Sequence, residues 1–318
     1  MRILITGGFG FVGGRMAVHL VQAGHQIVLG SRNVCNSPFW ISQAEVTQVI
    51  WDDGCALERS CDSVDVVIHA AGMNAQECVG NPVAALEFNG VATARLVAAA
   101  SRAGVRRFIY LSTAHVYASP LVGTITEDTC PRNKHPYATS HLAGEYMVLS
   151  TRQIQGIVLR LSNAFGAPMH KEANCWMLLV NDLCRQAVQT HKLVLQTSGL
   201  QQRDFIGLTN VCRVVEQFVL GHGGSAQQGT YNIGAGVSQS VLEIGRLVQQ
   251  RCLQVLGFEP VLQRVQRGEE NQQPTLTYRT DNLASLGIKF NSLDNSLEID
   301  NLLRFCQAAF TQTQNIEV

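Results

Sequence analysis

The 318-residue chain has no excess of charge of either sign: lysine plus arginine and aspartate plus glutamate both number 24. Its basic residues form no cluster, and without one a chain has no electrostatic footprint for a phosphodiester backbone, so nucleic acid is not an expected partner. No apolar run reaches the roughly 18 residues of a spanning helix, so no membrane segment is expected either. The ten cysteines include no CxxC pair and no Cys/His spacing suited to zinc, which leaves no predicted metal site. Scattered thiols of this kind fit reduced, structural residues in a cytoplasmic protein. Met1 to Ile5 already read as a buried strand, leaving no room for a signal peptide ahead of the fold.

What the chain does have, in its first half, is an alternation of short Val/Ile-rich strands with helical stretches. That pattern specifies an α/β fold, a Rossmann-type doubly wound parallel sheet covered by helices on both faces. Expected strands are Arg2 to Thr6, Gln26 to Leu29, Val46 to Trp51, Val64 to Ala70, Arg107 to Ser112 and Gly156 to Leu161. A helix from Pro82 to Ala103 carries its own boundary signals, with Asn81 to cap it, Pro82 at its first position and Gly104 after its end. Past about Gly166 the alternation weakens and Gln/Asn-rich segments intervene. Residues 1–166 are thus expected to form the dinucleotide-binding domain. Residues 167–318 would be mainly a smaller C-terminal substrate-binding lobe, with some segments returning to the core. The lobe should contain a helix Cys175 to Thr190, a strand near Leu193, the segment Arg203 to Gly207, a helix Ser240 to Cys252, and a short connection and final helix within Asp281 to Phe310.

Between the first strand and the first helix lies Thr6-Gly7-Gly8-Phe9-Gly10-Phe11-Val12-Gly13-Gly14, in which Gly7, Gly10 and Gly13 have the spacing GxxGxxG. Glycine permits the tight turn and brings backbone N–H groups against a pyrophosphate at the positive end of a helix. Gly7, Gly10, Phe11, Val12 and Gly13 are therefore candidate cofactor contacts. The second strand ends Leu29-Gly30-Ser31-Arg32-Asn33. An acidic residue there would bind a ribose 2′-hydroxyl, whereas a basic one accommodates a 2′-phosphate, so Arg32 with Ser31 points to NADP(H) over NAD(H).

Further segments complete a pattern: Asp52 after the third strand, His69-Ala70-Ala71-Gly72 after the fourth, Asn89, and Leu111-Ser112-Thr113-Ala114-His115-Val116-Tyr117. It continues through Pro136-Tyr137-Ala138-Thr139-Ser140-His141, the run Arg160 to Pro168, Arg203-Asp204-Phe205-Ile206 and Tyr231-Asn232-Ile233-Gly234. In this order the motifs resemble the extended short-chain dehydrogenase/reductase family, specifically its nucleotide-sugar epimerases, dehydratases and reductases. The resemblance spans nearly the whole chain. It implies that Tyr137 exchanges a proton with a substrate hydroxyl or carbonyl while Thr113 holds the same oxygen. It also implies that Asp52 meets the adenine, that Ala70 and Ala71 line the cofactor channel with Asn89 and Ser112 nearby, and that Asn163 and Arg203 face the substrate's phosphates. A homodimer joined by a four-helix bundle, built from Pro82–Ala103 and Pro136–Arg152 of each subunit, is implied as well.

The sequence departs from that family at one point. The tyrosine motif of the family is YxxxK, but the fourth residue after Tyr137 is His141. A histidine, with a reference pKa near 6.5, is mostly neutral at pH 7 unless a neighbour raises it. His141 is therefore a third candidate catalytic residue, able to keep the hydrogen bond to the nicotinamide ribose while losing most of the field. In relatives that are 4,6-dehydratases an Asp-Glu pair follows the threonine; here Ala114-His115 stands there. The expected function is accordingly NADP(H)-dependent 4-epimerisation or keto reduction of a nucleotide-linked sugar. A non-catalytic NADP(H)-binding protein of the same fold, or a reductase of a non-sugar carbonyl, is the alternative.

Overall fold

In the computed structural model the described residues are 1–221, 228–265, 274–288 and 293–311. Seven strands form one parallel sheet: β1 (Arg2–Thr6), β2 (Gln26–Ser31), β3 (Glu45–Gln48), β4 (Val66–His69), β5 (Arg107–Thr113), β6 (Gln155–Leu161) and β7 (Gly229–Ile233). Their spatial order is β7-β6-β5-β4-β1-β2-β3. Burial on both faces explains why these strands read as continuous apolar runs rather than alternating ones. In β1, Ile3 and Ile5 pack with Met16, Leu20, Val211, Val215 and Phe218. Leu4 points the other way, into a core with Val67, Phe108, Tyr110, Leu96, Val97 and Val148.

Helix α1 (Phe11–Gln22) lies on the first face. Helices α2 (Pro82–Arg102) and α3 (Pro136–Ser150) lie on the second. Asn81 does cap α2, accepting from the Ala84 N–H at 3.0 Å, and Gly104 follows it with φ +77°. Inside α2, residues Leu86–Ala92 form a π-helical segment, and the Cβ that Gly90 lacks would lie 3.3 Å from Ala143 of α3. By length and composition α2 is apolar enough to cross a membrane, unlike the expectation from uninterrupted runs. Half of it is buried inside the fold, as in a core helix.

The lobe has its own core, in which Val180, Leu183 and Ala187 of α4 (Leu179–Thr190) meet Ile244 and Val248 and also Ile299, Leu302 and Leu303. The latter two groups belong to α6 (Val241–Leu256) and α7 (Leu293–Phe310). α4 begins four residues later than expected, because Cys175 and Leu178 are held in turns on Ala173 and Cys175. α6 runs past the expected Cys252 to a Gly257 cap at φ +79°. Ser240 and Glu243 form a reciprocal capping box at its start. Within the expected connection of Asp281 to Phe310, residues 289–292 lie outside the described residues.

Two elements of the second half belong to the large sheet: β7 pairs with β6 from Gly229↔Ile157 to Ile233↔Leu161, and α5 (Leu208–Leu220) packs with α1. A buried carboxylate ties lobe to core. Glu298 on α7 accepts from Arg15 of α1 at 2.7 Å, from the Ala167 N–H at 3.2 Å and from the Thr209 hydroxyl at 2.5 Å.

Candidate active site

The strand order reverses between β1 and β4, so the loops after these strands diverge and leave a crevice at the carboxyl edge of the sheet. A cleft of about 1580 Å³ occupies that place and continues between sheet and lobe. Gly7, Gly10, Phe11, Val12, Gly13, Ser31, Arg32, Ala70, Ala71, Ser112, Thr113, Tyr137, His141, Asn163 and Arg203 all line it. Residues as far apart in sequence as Gly7 and Arg203 thus meet at one surface.

The glycine loop is built for close approach. Gly7 has φ +74°, and a Cβ there would come within 2.7 Å of the Ala70 carbonyl. A Cβ on Gly13 would lie 2.2 Å from the Gly7 oxygen. Gly10 is the N-cap of α1 and offers no capping side chain, so N–H groups of the first turn are left for an anion. This is the arrangement a dinucleotide's pyrophosphate requires, and the residues fit that group.

Two expected cofactor residues are not on the wall. Asp52 is exposed and outside the cleft lining; Trp51, one residue earlier, lies on it. The chain leaves β3 by Gln48, and Trp51 is turned inward to pack edge-on against Phe88 at 5.3 Å. Asn89 is buried behind the wall, where its carbonyl oxygen accepts from the Met73 N–H at 2.9 Å and its amide donates to Ser140 at 3.0 Å. It braces the loop after β4 against α3. Ser112 does reach the cleft, but its hydroxyl donates to Glu145.

Tyr137 sits in the first turn of α3, after Pro136 at the first helical position. His135 fixes that turn by accepting from the Tyr137 N–H at 3.2 Å. Burial raises the phenol's pKa above its usual value, while a hydrogen bond from Thr113 pulls the other way. Thr113 and Tyr137 therefore converge as the sequence pattern implies. One turn on, the His141 ring packs edge-on against Tyr137 with centroids 4.6 Å apart. Burial drives its pKa down to about 4, so the imidazole is neutral at pH 7. The positive charge that a lysine would bring is absent.

Under the site, Glu145 on α3 pairs with Arg160 on β6 at 2.5 Å, both buried, and the guanidinium covers the Tyr117 ring at 4.6 Å. The sequence assigns neither partner a role, because Arg160 stands only as the start of a matching run and Glu145 reads as an ordinary solvent-facing helix residue. Arg203, at the lobe end of the cleft, has no carboxylate partner among the described residues and contacts Gln201 at 3.3 Å. Burial lowers its pKa; an uncompensated, partly desolvated guanidinium is a ready anion ligand. Its neighbour Asp204 is fully buried, with its pKa pushed up by burial to about 6. Asp204 accepts from Ser162 at 2.6 Å and from the Ala235 and Gly236 N–H groups at 2.9 and 2.8 Å. The carboxylate thus fastens β6, the lobe strand Gln202–Gly207 and the loop after β7 together behind Arg203. Asn163 donates to the Asp204 carbonyl at 2.9 Å and lines the cleft.

His115 also lines the cleft. Its N–H donates to Thr113 at 3.1 Å, and burial with the nearby Arg203 cation lowers its pKa.

A doubly wound sheet with a glycine-rich turn, a Ser/Thr–Tyr pair and an anion ligand across the same cleft defines an NAD(P)-dependent enzyme of the extended short-chain dehydrogenase/reductase type. Residues 3–234 match the NAD dependent epimerase/dehydratase family, and the chain belongs to that family, whose members include nucleotide-sugar epimerases and dehydratases. The chain is 30% identical to the dTDP-D-glucose 4,6-dehydratase of Homo sapiens, over 77% of this chain and 72% of that one. Among solved structures it shares its fold with a UDP-glucose 4-epimerase with UDP-glucose from Thermotoga maritima. That likeness has a TM-score of 0.76 at 19% identity and covers 98% of this chain and 100% of that one. It is similar in fold also to RMD from Pseudomonas aeruginosa complexed with NADPH, with a TM-score of 0.74 at 21% identity, covering 96% and 99%.

Proposed function

We propose that the protein catalyses NADP(H)-dependent redox modification of a nucleotide-linked sugar, by keto reduction or 4-epimerisation. The observation that carries this reading is the convergence of Tyr137 and Thr113 on a cleft with a glycine-loop helix N-terminus at one end and an uncompensated Arg203 at the other. Arg32, exposed at the rim and without an acidic partner among the described residues, supports a 2′-phosphate and hence NADP(H).

When bound, the nicotinamide supplies or takes the hydride. The chain's own residues do the rest. Thr113 holds the sugar oxygen, and Tyr137 gives it a proton in reduction or takes one in oxidation. Arg203 and Asn163 hold the diphosphate and so fix which sugar carbon faces the phenol. Because the Tyr137 pKa is raised and His141 is neutral, the phenol stays protonated at neutral pH, which favours its use as an acid and thus reduction. The Asp-Glu pair that the resemblance associates with 4,6-dehydratases is replaced here by Ala114, which is buried, and by His115, which speaks against that reaction.

The same neutral His141 is what supports a non-catalytic NADP(H)-binding protein as the second reading. Absorbance at 340 nm with NADPH and 4-keto nucleotide sugars separates the two: oxidation of NADPH supports the enzyme, and binding without turnover across UDP-, dTDP-, GDP- and CDP-linked sugars overturns it. Turnover only with non-sugar ketones would reassign the substrate class.

The outer surface of α2 and α3, where Val83, Leu86 and Val91 stand exposed beside Tyr146 and Met147, supports a homodimer. Pairing these faces would bury them in a four-helix bundle. Seven of the ten unpaired cysteines are buried, which accords with a cytoplasmic setting.

A further inference from the structure

The buried polar chain behind His141 has no part in the reading so far. Tyr110 of β5 is fully buried, and its phenol lies 2.8 Å from His141 Nδ1. Room for it comes from Gly144, one turn after His141, where a Cβ would approach the Tyr110 oxygen to 2.8 Å. On its other side Tyr110 stacks on His69 at 5.5 Å. Thr6 lies 2.6 Å from His69 Nδ1, Thr93 lies 2.9 Å from Nε2, and Thr93 donates to the Asn89 carbonyl at 2.7 Å.

The protons in this chain can be placed. Thr93 has one hydroxyl proton, and the Asn89 carbonyl takes it. His69 Nε2 must therefore carry a proton and donate to Thr93, which leaves Nδ1 to accept from Thr6. Burial keeps the Tyr110 phenol protonated, so its O–H needs an acceptor. Two are in reach: Thr93, which already accepts from His69, and His141 Nδ1, whose sp² lone pair is the stronger acceptor and lies at 2.8 Å.

We propose that Tyr110 is a positioning residue that donates to His141 Nδ1 and thereby holds Nε2–H toward the cleft, as a donor for the nicotinamide ribose. His141 Nε2 and Cε1 border Gly72 on the cleft wall, 3.6 and 3.5 Å from where its Cβ would be. Nothing larger than glycine at 72 would leave that edge as open. The Tyr110–His141 pair thus supplies through two fixed rings what a lysine supplies by a flexible arm: a hydrogen-bond donor one turn beyond Tyr137, without charge. This inference rests on the cofactor site proposed above.

Nitrogen-15 NMR of the cofactor-free protein tests the proton placement independently of that reading. The expected result is a neutral His141 with its proton on Nε2; a proton on Nδ1 overturns the proposal. NADPH titration followed by fluorescence tests the consequence. Tyr110→Phe should weaken NADPH binding about fivefold, the worth of one hydrogen bond. In a His141→Lys background, where the ammonium needs no Tyr110 to orient it, the same substitution should change affinity less than twofold. Equal losses in both backgrounds would mean that Tyr110 acts only through packing, and would refute the positioning role. Wild-type protein that binds no NADPH at all would instead refute the cofactor reading, leaving the NMR result to stand alone.

Discussion

Replacing His141 by lysine restores the cation that the tyrosine site lacks, and the size of its effect follows from the geometry. The two rings are 4.6 Å apart between centroids, so a lysine ammonium in the same space would lie roughly 5 Å from the phenolic oxygen. At an effective dielectric of about 20 that charge is worth ~3 kcal/mol, or ~2.5 pKa units on the phenol. The site is only 6% exposed, and desolvation of the ammonium takes back part of the gain, so a downward shift of about two units is expected. At pH 7 the phenolate fraction then rises about a hundredfold. Oxidation of a nucleotide-sugar alcohol, which needs the phenolate, should accelerate by about 10- to 100-fold, whereas reduction, which uses the phenol as acid, should gain far less. The assay is the pH–rate profile of both directions at saturating cofactor, read at 340 nm. An oxidation profile whose apparent pKa does not move, or equal changes in both directions, would refute the electrostatic reasoning.

Further outcomes follow from the same structure. Arg203→Gln should weaken nucleotide-sugar binding by about 10- to 100-fold, since a charged hydrogen-bonding pair is lost, and leave NADPH affinity within twofold; calorimetric titration of each ligand checks this, and parallel losses would count against it. Arg32→Ala should cost NADPH about tenfold in affinity and NADH little; equal losses would remove Arg32 from cofactor choice. Stability should fall with acid. His69 and His141 are held at about 3 and about 4 in the fold, below the unfolded value near 6.5, so the folded state binds fewer protons and loses stability as pH drops below about 6.5. Asp204, raised to about 6, acts in the opposite sense, gaining stability as pH falls through that value. The net loss between pH 7 and pH 5 is about 2 kcal/mol, measurable as a lower urea midpoint. Asp204→Asn should steepen the loss, and a midpoint unchanged over this range would contradict the burial of both imidazoles.

How much was legible in advance can be judged residue by residue. Gly7 and Gly13 announced themselves because only glycine tolerates a left-handed turn against Ala70, or a backbone oxygen 2.2 Å from its missing Cβ. The cap signals of α2 at Asn81, Pro82 and Gly104 were equally local. Asp52 misled because the position of a side chain after a strand depends on where the strand ends, and β3 stops at Gln48 and turns Trp51 inward. Asn89 had the right neighbourhood but the wrong face.

The sequence by itself determined the α/β class, the order of the six N-terminal strands and the glycine loop, and it pointed to the tyrosine, threonine and histidine that line the cleft, because each depends on local conformational limits or short spacing. Tertiary structure alone decided which segments return to the large sheet, namely β7 and α5, that Glu145 and Arg160 are a buried pair beneath the cleft, and that Arg203 has no carboxylate partner among the described residues. It also decided the state of His141. A histidine four residues after a tyrosine is mostly neutral at pH 7 unless a neighbour raises its pKa, and only the fold shows that burial lowers it instead. Electrostatics and hydrogen bonds between residues far apart in the chain are set by packing, and packing is where the sequence alone stops speaking.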